Sequence, residues 1–579
     1  MDRDFFKNIF QHVRRRSFGV WIIAVLFLIA VISRLIFVFD VASQPLLSQS
    51  LPKTDPFNYD LHARNLLRGE PLNLRMPGYP LLIGYFANVY RILGTEPVRF
   101  YLFQLLVSLA STFFLILTGR MIFGWGPGLL AGLIYIFYKM NFVYDVLKVE
   151  TNLSQFLIIG TLYFFVAHLK QPTFKNWLGG AIFGVLLCLS RVFFWFIMLP
   201  AWISIFIRYR YWRDWRHLLL YTLLCLAAGS LFFAMHSSDR YSHKFGVHFF
   251  LGSSARSLGL MQRMADIRPT SEGFAKDSIL VAARETGSTD NLNAYWIKRT
   301  FDSWSEMPGR TLKMWARKIN YLVNHYEPHN NTSVYYYEKN TLLGRLSRID
   351  FSLIVTMAAV GIFAAFWRRH EGLYLLLPLG FLTVMVMLVF ICSRYRMPLI
   401  PFMSLYAGFG AMSLWEAARQ TKFYWLGSLM LVGILFLGWS RVHLHPFDKE
   451  RDIRHWERKD KSRLARQKFV ENALTDLRRW EQFNLAQKVN LVIRLERLGL
   501  KFEFDRVYAE TLRLAEATGD HRMVARLLER RAAFYESNFD FRSALEIWQR
   551  LAEFPPFRER ATEKVKEINM IGPLLDTDF

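Results

Sequence analysis

The sequence contains about eleven apolar runs that are long enough, or nearly long enough, to cross a membrane, and no other feature constrains its fold as strongly. A transmembrane helix needs about 20 apolar residues to cross a hydrocarbon core of about 30 Å. Backbone polar groups inside a bilayer must be satisfied within the protein, so such runs predict α-helices. The predicted fold class is therefore mainly α, a polytopic membrane protein of about eleven transmembrane helices. The runs cover residues 18–39, 98–118, 124–143, 150–168, 176–190, 192–207, 217–235, 351–367, 372–391, 397–415 and 422–440.

The positive charge of the chain is explained by the same runs. The formal net charge is +25, and a positive charge of this size is also typical of proteins that bind nucleic acid. Lys and Arg, however, concentrate beside the apolar runs and in the C-terminal region, and no nucleic-acid-binding motif is present. The three cysteines, Cys188, Cys225 and Cys392, lie inside or at the ends of apolar runs. They predict neither a disulfide framework nor a metal site.

The first apolar run sets the predicted orientation. An arginine triplet precedes it and no small-residue cleavage site follows it, so residues 1–17 are predicted to be cytoplasmic and the run to be an uncleaved anchor. The basic clusters at 208–216 and 368–369 then fall in the cytoplasm, as the positive-inside rule requires. The same parity places the loops 40–97 and 236–350 on the extracytoplasmic face.

The chain is predicted to have a membrane domain over 18–440 and a C-terminal helical domain over 441–579. The second region is charged and rich in Ala, Leu and Arg, with helical periodicity. Its residues 532–556 match one tetratricopeptide unit, so it is either a TPR-like array or a plain helical bundle, and a candidate surface for a protein partner. The number of predicted crossings before the C-terminal region places that region on the extracytoplasmic face. If 176–207 crosses the membrane once instead of twice, every later loop lies on the opposite face.

Ionisable residues lie at the predicted extracytoplasmic ends of the spans. Charges at membrane depth are costly and indicate function. They form four groups on one predicted face: Asp55 with Asp60, Glu150 with Asp145, Arg191, and Arg394 with Arg396.

The first loop carries the most specific motif. It reads Asp55, Tyr59, Ala63 and Leu66-Leu67-Arg68-Gly69, followed by Arg75-Met76-Pro77-Gly78-Tyr79-Pro80. Further motifs are Glu150 at the start of the fourth span, Leu189-Ser190-Arg191, the Glu-Pro-x-Asn element of Glu327 and Asn330, and the segment 393–401. Over about residues 15–440 the chain resembles the GT-C class of membrane glycosyltransferases. It is most similar to the protein O-mannosyltransferase and lipid A aminoarabinose transferase branch, the bacterial glycosyltransferase family 39-like proteins.

The resemblance implies an inverting transferase that moves a hexose or pentose from a polyprenyl-phosphate carrier to an acceptor. The expected location is a bacterial inner membrane, with the active site facing the periplasm or exterior. The acceptor must lose a proton to a positioned carboxylate, and Asp55 is the candidate general base, with Glu150 and Asp60 as supporting acids. Guanidinium groups match phosphate oxygens. The candidate ligands of the donor phosphate are Arg394, Arg396 and Arg191.

The remaining candidate contacts to acceptor or sugar are Tyr59, Arg75, Tyr79, Glu327 and Asn330. The family often has a second acid directly after the leading Asp, but this chain has Pro56 there. The base is therefore assigned to Asp55 alone, no metal ligands are assigned, and dependence on a divalent metal stays open. The expected partners are the lipid-linked donor, membrane lipids and a protein or glycolipid acceptor.

Three alternatives stay open. An oligosaccharide polymerase or ligase would use similar lipid-linked donors. A lipid-linked sugar transporter or flippase would also bury charges, although the internal repeats typical of transporters are not evident. As a purely structural alternative, Asp55 before Pro56 suits the start of a helix.

Overall fold

The computed structural model describes residues 17–48, 50, 54–69, 79–190, 194, 243–260, 267, 277–286, 291–444, 448–498, 501–537 and 541–575. These residues form α-helices joined by turns and short 3-10 segments, and within them no β-strand occurs. The prediction of a mainly α fold is confirmed.

The chain divides into two compact units. One comprises Met1–Ser238, His248–Gln262 and Arg299–Ile453, and the other comprises Asp239–Val247, Arg263–Lys298 and Arg454–Phe579. The longer helices, in chain order, are α1 (Ser17–Ser43), α2 (Asp55–Leu67), α3 (Tyr79–Leu93), α4 (Pro97–Phe123), α5 (Trp125–Phe137), α6 (Lys139–Asp145), α7 (Thr151–Lys170), α8 (Phe174–Ser190), α9 (His243–Ser253), α10 (Ser278–Thr286), α11 (Leu292–Glu306), α12 (Pro308–Val323), α13 (Val334–Asn340), α14 (Phe351–Trp367), α15 (Leu376–Leu388), α16 (Ile400–Arg419), α17 (Phe423–Ser440), α18 (Lys449–Leu477), α19 (Leu485–Leu498), α20 (Lys501–Ala517), α21 (His521–Ser537), α22 (Phe541–Leu551) and α23 (Arg558–Leu575).

The helices agree with a multi-pass membrane protein. Among the described residues, six helices are long and apolar enough to cross a membrane, and four shorter helices are also apolar. Two of the predicted spans, 192–207 and 217–235, lie outside the described residues, except for residue 194. Apart from the run 124–143, the other predicted spans coincide with helices, from α1 to α17.

One predicted span is wrong in detail. The run 124–143 is not one helix, because α5 ends at Phe137, Tyr138 is extended, and the short α6 follows. Non-helical backbone at membrane depth is tolerated only where protein groups satisfy it. Here the Gln104 side chain donates to the Leu147 carbonyl (3.0 Å) and Asn141 donates to the Tyr135 carbonyl (2.7 Å). These amides make the break between α5 and α7 possible.

A buried ion pair holds the broken segment against α1. Arg34 Nη1 lies 2.8 Å from Asp145 Oδ2, and the two side chains are 0% and 1% exposed. Arg34 Nε also donates to the Ile136 carbonyl (3.0 Å), and Asn152 donates to Asp145 Oδ1 (3.0 Å). Because an unpaired charge at this depth is costly, the pair positions α6 between α1 and α7.

Close helix contacts in the membrane domain depend on glycine. A Cβ atom on Gly361 of α14 would overlap the Tyr406 carbonyl of α16, and one on Gly410 would overlap the Met357 carbonyl of α14. Gly408 meets the Pro127 carbonyl of α5 in the same way. Small residues let helix backbones approach in a bilayer, where dispersion and close fit replace the hydrophobic effect.

We expect Gly361→Ala to lower the free energy of unfolding by about 1–3 kcal/mol, because overpacking forces two helix backbones apart. Thermal unfolding in detergent micelles measures the change. Gly427→Ala on α17 is the matched control, since no atom lies within 4 Å of the added carbon there. Equal stability of the two variants would contradict the close-packing interpretation.

Helix α12 buries a lysine. Lys318 Nζ donates to the Gly252 carbonyl (3.0 Å), to Ser253 Oγ (2.8 Å) and to the Val389 carbonyl. Burial lowers the pKa of Lys318 to about 7, because the charged form loses its hydration. The lysine therefore ties the end of α9 to the segment that follows α15.

We expect stability to rise with pH between about 7 and the ordinary lysine range, because over this window the unfolded chain binds a proton that folded Lys318 does not. Lys318→Met should remove that rise, of at most about 1.4 kcal/mol per pH unit. Unfolding measured from pH 6 to pH 10 in both proteins tests it. Identical pH slopes would show that Lys318 stays charged in the folded protein.

The second unit contains the successive helices α19 to α23. Glu496 of α19 pairs with Arg530 of α21 (3.3 Å), and Glu516 of α20 pairs with Arg550 of α22 (2.6 Å). Both pairs are 34 residues apart, the length of a tetratricopeptide repeat. This unit begins at Arg454 and includes parts of the 236–350 segment, whereas the sequence predicted a boundary at 441. The boundary differs because the first turn of α18 is hydrogen-bonded within the first unit, as described below.

Candidate active site

Asp55 occupies the first position of α2. Thr54 is the N-cap and Pro56 follows Asp55, the position where a missing N–H costs no helical hydrogen bond. The Asp55 carboxylate accepts hydrogen bonds from Arg394 Nη1 (2.5 Å) and from the Asn331 side chain (3.1 Å). It therefore does more than begin a helix, which was the structural alternative.

Arg394 is the centre of the cluster. Its Nε donates to Glu150 Oε1 (3.0 Å) and its Nη2 to Glu150 Oε2, a bidentate pair, while Nη1 also approaches Asn330 Oδ1 (3.4 Å). The Arg394 and Glu150 side chains are 6% and 8% exposed, whereas that of Asp55 is 35% exposed. One guanidinium thus joins residues from three distant parts of the chain.

Glu150 is the N-cap residue of α7 and ends the irregular segment after α6. A carboxylate is stabilised at a helix N-terminus by the helix dipole. The sequence places it there, and the fold of the broken segment brings it to Arg394.

Arg396, predicted to bind the donor phosphate, lies apart from the Arg394 cluster. Residues two apart on a helix do not share a face, and Arg396 is fully buried against Glu327. It also donates to the Asn324 carbonyl (2.9 Å) and the Tyr326 carbonyl (2.6 Å), and Tyr138 donates to Glu327 Oε1 (2.6 Å). Glu327, predicted to contact substrate, is likewise fully buried. Both residues hold the loop in place.

The loop 324–331, here called the site loop, is anchored along its length. The first turn of α18 contributes Asp452, which accepts from Tyr326 Oη (2.7 Å) and lies 3.1 Å from His329 Nδ1. Other anchors are the Ser440 carbonyl, which accepts from the His325 amide, and the Ser393 amide, which donates to the Pro328 carbonyl. The tip of the loop then presents Asn330 and Asn331 to Arg394 and Asp55.

Asp60 belongs to a second cluster. Its carboxylate accepts from Lys148 Nζ (2.7 Å), from Arg64 Nε (3.1 Å) and from the Tyr90 hydroxyl. Burial alone would raise the pKa of Asp60, but the ammonium of Lys148, with Tyr90 and Arg64, holds that pKa below its usual value. Sequence reasoning missed Lys148. Its place as a charged residue among Val146, Leu147 and Val149, two residues before Glu150, was the available signal.

The structure describes only some of the other residues that were predicted to contact substrate. Tyr59 lies one turn after Asp55 on α2, and Tyr79 begins α3, although its side chain lies outside the described part. Arg75 and Arg191 lie outside the described residues. Asn331, which bonds Asp55, was also missed, and its place beside Asn330 was the signal.

The oxygens around Arg394 have the chemistry of a cation site. Carboxylate and amide oxygens are ligands that hard divalent cations take, and here the cation between Asp55, Glu150 and Asn330 is the guanidinium. In the part of the chain that the structure describes, no group of three or more His, Cys, Asp or Glu side chains could hold a metal ion.

Comparisons with known proteins give distant similarities only. No family model matches the chain, and no curated protein matches it. Among solved structures, it is similar to the oligosaccharyltransferase of Archaeoglobus fulgidus in the apo form, at 11% identity and a TM-score of 0.40 over 73% of this chain and 57% of that one. It is also similar to the archaeal oligosaccharyltransferase AglB from Archaeoglobus fulgidus in complex with an inhibitory peptide and a dolichol-phosphate, at 11% identity and a TM-score of 0.39 over 72% of this chain and 56% of that one. The Archaeoglobus fulgidus oligosaccharyltransferase in complex with Zn and sulfate gives 12% identity and a TM-score of 0.39 over 74% of this chain and 56% of that one. The chain spans little more than half of these proteins. Similarity at this level establishes neither family nor activity.

We expect Glu327→Gln to destabilise the protein by about 3–5 kcal/mol, because it leaves the buried Arg396 charge without a counter-ion. Thermal unfolding in micelles reports the loss. Glu371→Gln, which breaks a half-exposed pair with Lys170, is the control and should cost no more than about 1 kcal/mol. A Glu327→Gln protein as stable as the control would show that Arg396 does not need Glu327 as its counter-ion.

Proposed function

We propose that the protein is an integral membrane glycosyltransferase that moves a monosaccharide from a polyprenyl-phosphate carrier to an acceptor. The observation that carries the proposal is the convergence of Asp55, Glu150 and Arg394. All three were selected from the sequence as candidates for this chemistry, and Arg394 bonds both carboxylates.

In the proposed reaction Asp55 is the general base. The acceptor loses a proton as it attacks the anomeric carbon, and a positioned carboxylate that takes this proton typically contributes about a hundred- to ten-thousand-fold in rate. Asp55 is the more exposed of the two carboxylates on Arg394, so an acceptor can reach it. Glu150, held in a buried bidentate pair, keeps the guanidinium in place.

Arg394 is the proposed ligand of the donor phosphate. With both acids ionised, the cluster has two negative charges and one positive, which disfavours an added anion. The buried edge of the guanidinium is occupied by Glu150, but Nη1 is shared by Asp55 and Asn330. A phosphate that takes over Nη1 would release Asp55 to accept the proton. Binding of the donor would thereby prepare the base.

Lys148 is proposed to position α2 through its ion pair with Asp60. It is buried, precedes Glu150 by two residues and is balanced by Asp60 on the same helix as Asp55. Because α2 carries both carboxylates, a movement that releases Asp55 also acts on the Asp60 pair. The proposed setting is the extracytoplasmic face of a bacterial inner membrane.

We expect Asp55→Asn to lower sugar transfer by about a hundred- to ten-thousand-fold, because the amide keeps a hydrogen-bond acceptor for Arg394 but takes up no proton. The measurement is mass analysis of envelope glycans and glycoproteins from a deletion strain complemented with each variant. Glu416→Gln, which breaks a partly exposed pair with Arg368, is the matched control and should restore the sugar fully.

Two results would count against this proposal. Full restoration by Asp55→Asn would remove Asp55 as the base. A deletion strain that lacks no envelope sugar, but accumulates or loses a lipid-linked precursor on one membrane face, would favour the transporter.

A further inference from the structure

Helix α12 (Pro308–Val323) presents three distinct faces. At 100° per residue, Met314, Lys318 and Tyr321 share one face, and all three are buried against the protein. The rest of the helix surface is not used by this packing.

One unused edge is apolar. Leu312 is 71% exposed and Ile319 is 44% exposed, and their seven-residue spacing places them about 20° apart around the helix. Isolated exposed leucines are common on proteins, but a repeat along one edge of an amphipathic helix marks a contact surface.

The other unused edge is basic. Arg310 and Lys313 are exposed and Arg317 is half-buried, and the three lie within about 60° of one another. The centre of this edge is about 140° from that of Leu312 and Ile319. A helix in solution would gain nothing from an exposed apolar edge opposite a basic one.

Helix α12 lies at the end of the membrane spans. Its Asn320 side chain accepts a hydrogen bond from Trp439 Nε1 (2.6 Å), in the last turn of α17, and its Lys318 reaches Val389 just after α15. Helix α17 exposes Leu431, Ile434 and Leu435 along its length, which is the surface that faces lipid in a membrane-spanning helix. The contact of Asn320 with Trp439 places α12 at one end of that helix.

We propose that α12 lies in the plane of the membrane interface and that phospholipid is its partner. The apolar edge, Leu312 and Ile319, contacts acyl chains, and the basic edge contacts headgroup phosphates. Amphipathic helices bind membranes by this combination of apolar burial and attraction to anionic lipid. A second copy of the chain would leave the basic edge without charge complementarity. This inference does not rest on the proposed enzymatic activity.

The position has a consequence for the site. The site loop begins at Asn324, directly after the last residue of α12, and Arg396 bonds carbonyls of Tyr321 and Asn324. A helix seated at headgroup level therefore holds the site loop at the level where a lipid-linked phosphate lies.

The test uses the full-length protein in vesicles of phosphatidylethanolamine and phosphatidylglycerol. The three native cysteines are replaced by alanine, and one cysteine at a time is introduced by Leu312→Cys, Ile319→Cys, Lys313→Cys or Arg317→Cys and labelled with a fluorophore. Phospholipids with brominated acyl chains should quench the labels at 312 and 319 several-fold more than those at 313 and 317. Aqueous iodide should show the opposite order.

A second arm tests the headgroup contact. Brominated phosphatidylglycerol should quench the label at 312 more than brominated phosphatidylcholine does, and Arg310→Gln with Lys313→Gln should abolish that preference. Iodide quenching at 312 equal to that at 313 would overturn the proposal. Labels at 312 and 319 that neither quencher reaches would also overturn it, since the edge would then be covered by protein.

Discussion

The geometry of the site depends on one buried guanidinium. Arg394 is almost fully shielded and has carboxylates on two of its edges, Glu150 at the start of α7 and Asp55 at the start of α2. A buried charge of this kind is tolerated only when paired with good geometry. Each element that supplies a partner must therefore be placed correctly for the others to be stable. The site loop is tied to the same charge through Asn330, and the first turn of α18, within the first unit, bonds the site loop through Asp452.

Membrane burial imposes the other main constraint, through the broken segment between α5 and α7. Its carbonyls would be unsatisfied in lipid, and side-chain amides of Gln104 and Asn141 bond them. Arg34 and Asp145 then fix the segment to α1. The segment ends at Glu150, which pairs with Arg394. Polar residues inside the bundle are costly, but here they support the irregular backbone that leads to Glu150.

The two arginines of the Ser393–Arg396 turn show how local geometry divides similar residues. Arg394 faces carboxylates near the surface, whereas Arg396 is enclosed with Glu327 and loop carbonyls. Asp55, a partner of Arg394, is partly exposed, whereas Glu327, the partner of Arg396, is fully buried. The site loop is thus held by a buried ion pair at Glu327 and reaches the Arg394 cluster at Asn330.

The sequence by itself determined the membrane class, most spans, the helical C-terminal region and the candidates Asp55, Glu150 and Arg394. Apolar run length and charge position are local properties, and they are sufficient for these predictions. Only the tertiary structure decided that the run 124–143 is broken, that Arg396 and Glu327 are enclosed, and that Asp60 pairs with Lys148. Each of these features depends on contacts between residues tens to hundreds of positions apart. The spacing of residues along the chain does not identify which buried charges form ion pairs.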